Sequence, residues 1–221
     1  AHRPRADWSR LPIQYAKAIF RPFPETFRRE SEFARWSLVW LQLALLIAIP
    51  VIMSALRSIF RDSSVGVNPR SNVLFAFLGT LVVGATVGAF IFKIILIPIL
   101  FFIGSGIQYV TARLLRGHGR YLAHGYSMLL YEVPLTFIGG IIITGFVLAH
   151  FSTFFFTPII TLALFIYGLF INVSVVMGVH GLNRSKAIIT VLVPYAIGFL
   201  VACGVLATLA HYIVQTFHTV H

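Results

Sequence analysis

Charged residues are scarce in this chain: they make up 10% of its 221 residues, and only six of them are acidic. A soluble domain carries about 25% charged residues because its surface must be hydrated. The deficit excludes a soluble enzyme, a nucleic-acid-binding domain and a disordered tail. Since 58% of the residues are hydrophobic, we expect an all-α integral membrane protein whose surface contacts lipid.

Cysteine is nearly absent as well, and Cys203 has no partner for a disulfide or for a C-x-x-C metal or redox site. The chain also lacks the H-E-x-x-H, G-x-S-x-G, Walker and dinucleotide-binding motifs. Histidine occurs eight times, but without acidic or cysteine companions we interpret these histidines as polar residues at the membrane interface. The sequence therefore predicts no catalytic residue, no metal ligand and no cofactor.

Apolar runs long enough to cross about 30 Å of hydrocarbon are present four times. They comprise residues 36–59, 126–151, 154–179 and 187–214. Residues 72–115 are also apolar, interrupted by Lys93 and Pro98, and would be roughly 65 Å long as one straight helix. That stretch is therefore either two spans, or one span with a re-entrant or interfacial piece.

The distribution of arginine and lysine decides between these alternatives, because cytoplasmic loops are enriched in both. With a cytoplasmic N-terminus and one crossing over residues 72–115, most basic residues lie on the cytoplasmic side, and Arg57, Arg61 and Arg70 lie outside. With two crossings, the two sides would carry nearly equal numbers. We therefore predict a bundle of five crossings, with the N-terminus in the cytoplasm and the C-terminus outside.

Residues 1–35 form a basic N-terminal segment ahead of a transmembrane domain over residues 36–221. Apolar residues recur at helical spacing near its start, at Ile13, Ala16, Ile19 and Phe20. Pro24, followed by Glu25, marks the start of a second helix.

This segment is interpreted as a basic amphipathic element that lies on the anionic inner leaflet. The alternative is an ordinary basic juxtamembrane segment that only fixes the orientation of the chain. In the first interpretation the lipid-surface anchors are Arg21, Arg28, Arg29, Arg35, Trp36 and Trp40.

Two charged residues lie within the apolar runs, Lys93 and Glu132. A lone charge there costs around 2.5–3.5 kcal/mol on insertion scales, so we expect the two to form an intramembrane ion pair. The pair either fixes helix register or serves as a proton or ion relay. Close helix contacts are expected at Gly84-x-x-x-Gly88 and at Gly139-Gly140 with Gly145, because small residues let backbones approach.

Two basic loops carry a resemblance to a known family. Residues 114–134 read LLRGHGRYLAHGYSMLLYEVP and residues 178–194 read GVHGLNRSKAIITVLVP. Both resemble stretches of bacterial members of the Yip (Ypt-interacting protein) family, and the Pro24-Glu25-Thr26-Phe27 motif is similar to one that precedes the family's first span. The matching loop residues are Gly117, Gly119, Tyr121, Tyr126, Pro134, His180, Gly181, Leu182, Arg184, Lys186 and Ala187.

The resemblance implies five crossings, a cytoplasmic N-terminus and, for a bacterial member, residence in the inner membrane. Eukaryotic members bind Rab-type small GTPases and shape or sort early secretory membranes. Their Asp-Leu-Tyr-Gly element is not present in this sequence, so a small GTPase is not an expected partner.

Three functions remain open from the sequence. The first is a non-enzymatic membrane scaffold or organiser of the Yip type, whose partners are membrane lipids, other integral membrane proteins or a second copy of itself. The second is an accessory transmembrane subunit of a respiratory or photosynthetic complex. The third is an ion-coupled transporter centred on Lys93 and Glu132.

Overall fold

The computed structural model describes the backbone of residues 8–62, 73–149, 151 and 153–219, and the side-chain surroundings of residues 8–57, 94–149, 151 and 155–211. Within these ranges the chain is helical apart from short connections, and it contains no strand. The N-terminal segment forms two short helices, α1 (Leu11–Phe20) and α2 (Pro24–Glu30), each flanked by a short 3₁₀ turn.

Five long helices follow, and each is long and apolar enough to cross a membrane. They are α3 (Trp36–Asp62), α4 (Val73–Leu114), α5 (Tyr121–Leu148), α6 (Thr153–His180) and α7 (Arg184–Thr219). The predicted five-crossing helical bundle is thereby confirmed, and residues 73–114 are one continuous helix. The predicted starts of two spans, at residues 126 and 187, were too late, because α5 already begins at Tyr121 and α7 at Arg184.

The connection between α6 and α7 shows why these helices end and begin where they do. Gly181 has a φ of +67°, a left-handed conformation that glycine adopts without steric cost and that commonly ends a helix. The Oδ1 atom of Asn183 then accepts a hydrogen bond of 3.1 Å from the Lys186 backbone N–H. This satisfies one of the free donors at the start of α7.

Every long helix contains one internal proline, which removes a backbone donor from the helix ladder. These prolines are Pro50, Pro98, Pro134, Pro158 and Pro194. Proline is tolerated inside transmembrane helices because neighbouring groups satisfy the freed carbonyls.

Helix α5 lies at the centre of the bundle and packs between α3 and α6, while α7 bridges α6 and α4. Two of the predicted glycine contacts are confirmed: the Cβ position of Gly139 is 2.9 Å from Leu164 of α6, and that of Gly140 is 2.9 Å from Met53 of α3. Gly145 has no atom within 4 Å of its Cβ position, so the prediction was wrong there. The side-chain surroundings of Gly84-x-x-x-Gly88 lie outside the described residues.

The N-terminal segment packs onto one end of this bundle, with α1 against α5 and α2 against α6. The apolar spacing indicated a face that includes Ile13 and Phe20, yet these two side chains are 60% and 81% exposed. The buried face consists of Leu11, Gln14, Ala18 and Ile19. Leu11, Ala18 and Ile19 pack into the core of the bundle, and Gln14 between them accepts a hydrogen bond from Tyr126 of α5.

The contact between α2 and α6 depends on Gly178. A Cβ atom at this position would overlap the carbonyl oxygen of Pro24 and would lie 3.2 Å from the backbone nitrogen of Arg28. The missing side chain thus lets the first turn of α2 rest directly on α6, and Phe27, in the same short helix, is fully buried.

We expect Gly178→Ala to destabilise the protein by about 1–3 kcal/mol, the usual cost of overpacking, and to expose the N-terminal segment to protease. The control is Gly198→Ala on α7, where nothing lies within 4 Å of the Cβ position. That change should be neutral, or stabilising by up to about 1 kcal/mol. Unfolding in detergent and limited proteolysis measure both effects, and equal behaviour of the two variants would contradict the proposed contact.

Candidate functional site

The end of the bundle that carries the N-terminal segment holds a polar cluster of four residues: the buried Gln14, Glu30 and Tyr126, and the half-exposed Lys17. The Glu30 carboxylate, 6% exposed, accepts hydrogen bonds from Gln14 Nε2 at 2.7 Å and from Lys17 Nζ at 3.0 Å. The Tyr126 hydroxyl of α5 donates to Gln14 Oε1 at 2.8 Å. The cluster therefore joins α1, α2 and α5.

Two further tyrosines lie against the N-terminal segment. The Tyr167 hydroxyl of α6 donates to the backbone carbonyl of Ile19, which attaches the last turn of α1 to the bundle. The hydroxyl of Tyr15 is buried and has no hydrogen-bond partner among the described residues. Burial raises the pKa of Tyr15 above its usual range, so this phenol stays neutral.

The two loops that carry the family resemblance meet beside this cluster. We call residues 115–119 and 180–186 together the loop junction. The Cβ positions of Gly117 and Gly119 lie 2.9 Å from His180 Cβ and 2.8 Å from His180 Nδ1. The His118 backbone N–H donates to the His180 carbonyl at 3.1 Å, and Lys186 Nζ donates to the Leu115 carbonyl at 3.3 Å.

Two buried histidines meet at the loop junction, His180 of the junction itself and His124 of α5, although the sequence indicated interfacial histidines. His124 Nδ1 lies 3.3 Å from His180 Nε2, and both side chains are at most 1% exposed. The Tyr109 ring lies 5.8 Å from the His180 ring and also contacts Arg113. Among the described residues no group of three metal-ligating side chains exists.

The remaining predicted loop residues lie on both sides of the junction. The hydroxyl groups of Tyr121 and Ser105 are 3.0 Å apart, which joins the start of α5 to α4. Arg184 is exposed at the first position of α7. Pro134 lies within α5, partly buried.

The predicted lipid-surface anchors are all at the same end of the molecule. Arg21, Arg28 and Arg29 are exposed, whereas Arg35 is partly buried. The two tryptophans are 48% and 55% exposed, and their rings also contact the bundle, Trp36 at Tyr121 and Trp40 at Phe102. The structure thus places all six residues around the N-terminal segment and the first turns of α3.

The predicted ion pair remains a prediction, because the side chain of Lys93 lies outside the described residues. Glu132 is partly buried on α5 and interacts with Tyr131 and Tyr195. These tyrosines were not considered as partners from the sequence.

Sequence reasoning also missed several polar side chains inside the bundle. Gln42, Ser127 and Asn172 are at most 1% exposed, and atoms of each lack a hydrogen-bond partner among the described residues. Each is a polar residue within an apolar run, and this sequence feature could have been used to predict that these side chains are buried in the bundle.

Comparison with known protein families gives a match over most of the chain. The family model of the Yip1 domain matches residues 16–216, which includes the loop junction, most of the five long helices and every member of the polar cluster except Gln14. No curated protein and no solved structure matches the chain.

We expect Glu30→Ala to destabilise the attachment of the N-terminal segment by about 1–3 kcal/mol, since it leaves the buried Gln14 amide without its acceptor. Lys17 is half exposed, so its ion pair contributes little to this loss. The control is Glu32→Ala at an exposed position of the same segment, which should change stability by less than about 0.5 kcal/mol.

Denaturant unfolding and protease cleavage within residues 8–35 measure the difference between these variants. Glu30→Gln, which keeps an acceptor for Gln14, should recover most of the stability. The same loss in Glu30→Ala and Glu32→Ala would show that the cluster does not hold the segment.

Proposed function

Because the chain belongs to the Yip family of integral membrane proteins, we propose that it is a non-enzymatic membrane organiser that acts through lipid and helix contacts. The observation that carries this proposal is the attachment of the N-terminal segment. Its attached side buries Leu11, Ala18 and Ile19 and is bound through Gln14 to Tyr126 of α5. Its other side is therefore left to face the surroundings of the bundle.

That other side combines apolar and basic residues, and we call it the outer surface. It comprises the exposed residues Trp8, Arg10, Ile13, Phe20, Arg21, Phe23, Arg28 and Arg29. Apolar side chains on such a segment insert about 5–10 Å into the headgroup region, and each arginine near anionic lipid contributes about 1 kcal/mol. Insertion into one leaflet only would favour curved membrane.

The proposed location is the bacterial inner membrane, with the N-terminal segment in the cytoplasm. The support for this orientation is the distribution of basic residues. Arg113, Arg116 and Arg120, with Arg184 and Lys186, lie at the same end of the bundle as the N-terminal segment. Basic loops remain on the cytoplasmic side during insertion.

An accessory role in a larger membrane complex is the second candidate, and the exposure of α7 favours it. This helix is the least buried of the five spans, and neither Gly198 nor Gly204 has an atom within 4 Å of its Cβ position. A partner helix could pack closely there. Extraction in mild detergent with a stoichiometric set of other subunits would favour this role, whereas extraction alone with lipid favours the organiser.

We expect Ser185→Cys, in a Cys203→Ser background, to react with a membrane-impermeant maleimide only after spheroplasts are lysed. The matched position is Phe151→Cys, between α5 and α6 at the opposite end of the bundle, where the side chain is 56% exposed. It should react in intact spheroplasts. The reverse pattern of labelling would place the N-terminal segment outside.

We expect the full chain to reduce the diameter of vesicles of anionic phosphatidylglycerol and neutral phosphatidylethanolamine, in proportion to the protein added. The double variant Ile13→Ser and Phe20→Ser should lose at least half of this effect, because both exposed apolar side chains are removed from the outer surface. Light scattering and electron microscopy of the vesicles measure the change.

The control for this experiment is Leu114→Ser, an apolar position 78% exposed at the same end of the bundle but outside the N-terminal segment. It should remodel vesicles like the unmodified chain. If the unmodified chain leaves vesicle size unchanged, or if the double variant retains full activity, the organiser function is wrong.

A further inference from the structure

A groove opens beside the N-terminal segment, where α6 meets α7. Its volume is about 410 Å³, within the range of roughly 300–1,000 Å³ that is typical of small-molecule sites. Its walls are the connection between α1 and α2, the last third of α6 and the first turns of α7. Pro22 and Pro24 hold that connection extended, with Phe23 between them at φ −90° and ψ 149°. The extended connection forms one wall of the groove.

The body of the groove is apolar. Val173, Met177 and Val191 line it, and Phe170 and Leu192, at its open side, are 54% and 50% exposed. Its polar side chain on α6, Ser174, directs its hydroxyl to the Phe170 carbonyl of the same helix at 3.5 Å. An occupant of this part of the groove must therefore be apolar.

One end of the groove carries a positive charge. Among the described residues that line it, Arg184 is the one with a charged side chain, and it is exposed at the first position of α7. Arg21 and Arg28, both exposed, lie in the chain on either side of the Pro22-Phe23-Pro24 wall. The apolar body thus ends at a basic rim.

We propose that this groove binds one anionic glycerophospholipid, with an acyl chain along α6 and α7 and its phosphate at Arg184. Both helices are membrane spans, so an acyl chain reaches the groove from the bilayer without passing through water. An arginine pairs with a phosphate through charge-assisted hydrogen bonds. The inference rests on the proposed membrane-organising function and adds to it a stoichiometric lipid site, which adjoins the outer surface at Phe23.

Native mass spectrometry of the full chain in mild detergent tests this site, with phosphatidylglycerol and phosphatidylcholine of identical acyl chains as probes. We expect one phosphatidylglycerol per chain, bound at least fivefold more than phosphatidylcholine. Soluble glycerol phosphate at the same concentration should not displace it, because the acyl chain contributes most of the contact.

The groove-filling variant is Ile188→Trp, since Ile188 lines the groove. Its matched control is Ile189→Trp, at the next position of α7, which is 51% exposed and does not line it. The first should reduce the bound lipid at least fivefold and the second should not change it. Arg184→Gln should remove the preference for phosphatidylglycerol, while Arg120→Gln, an exposed cation of the other loop, should preserve it.

The proposal is overturned if the unmodified chain binds no lipid, or if Ile188→Trp still binds the lipid. It is also overturned if Ile188→Trp removes a dimer of the chain rather than the bound lipid. Displacement by glycerol phosphate would equally overturn it. Protease resistance of residues 8–35 verifies that each variant keeps the attached segment. Vesicle remodelling by the unmodified chain is measured separately. If that chain binds the lipid but does not remodel vesicles, only the organiser function is contradicted. If it remodels vesicles but binds no lipid, only the groove site is contradicted.

Discussion

The close approach of α2 to α6 at Gly178 is the contact on which the arrangement of this end of the molecule depends. With no side chain at that position, the Pro24 carbonyl rests on α6, and α2 then buries Phe27 and brings Glu30 to Gln14. The same contact places the Pro22-Phe23-Pro24 connection over α7, where it forms one wall of the groove. A methyl group at residue 178 would therefore affect the polar cluster, the orientation of the outer surface and the groove together.

Polar contacts rather than apolar area distinguish the attached side of the N-terminal segment from its outer surface. In water, burial of apolar side chains would decide which face packs. Both faces of α1 carry apolar side chains, and the attached face is distinguished by the buried amide of Gln14, which is hydrogen-bonded to Glu30 and Tyr126. The His124–His180 contact at the loop junction gives one nitrogen of each ring a partner, while His124 Nε2 and His180 Nδ1 have no hydrogen-bond partner among the described residues.

The fold was largely predictable from the sequence, because span length and the distribution of arginine and lysine are direct consequences of bilayer thickness and insertion. The start of α2 at Pro24 and the contacts of Gly139 and Gly140 followed from equally local rules. The buried face of α1 could not be predicted by such rules. The spacing of Ile13 and Phe20 indicates an apolar face but does not indicate whether protein or lipid covers it. The contact between His124 and His180 could not be predicted for a different reason. The two histidines are 56 positions apart, and no local sequence pattern relates them. Gln42 and Asn172, by contrast, were visible as isolated polar residues in apolar runs.

The attachment of the N-terminal segment also has a consequence for biogenesis. Gln14 and Ile19 are bound by Tyr126 and Tyr167, which follow them by 112 and 148 positions. At about 5–20 residues per second of translation, roughly 7–30 s separate the synthesis of α1 from that of its last partner. During this interval the nascent segment has no bundle to pack on, so Phe27 and Glu30 are not yet in their buried positions. Attachment is thus a late step in assembly, which cannot be completed before α6, the fourth long helix, has been synthesised.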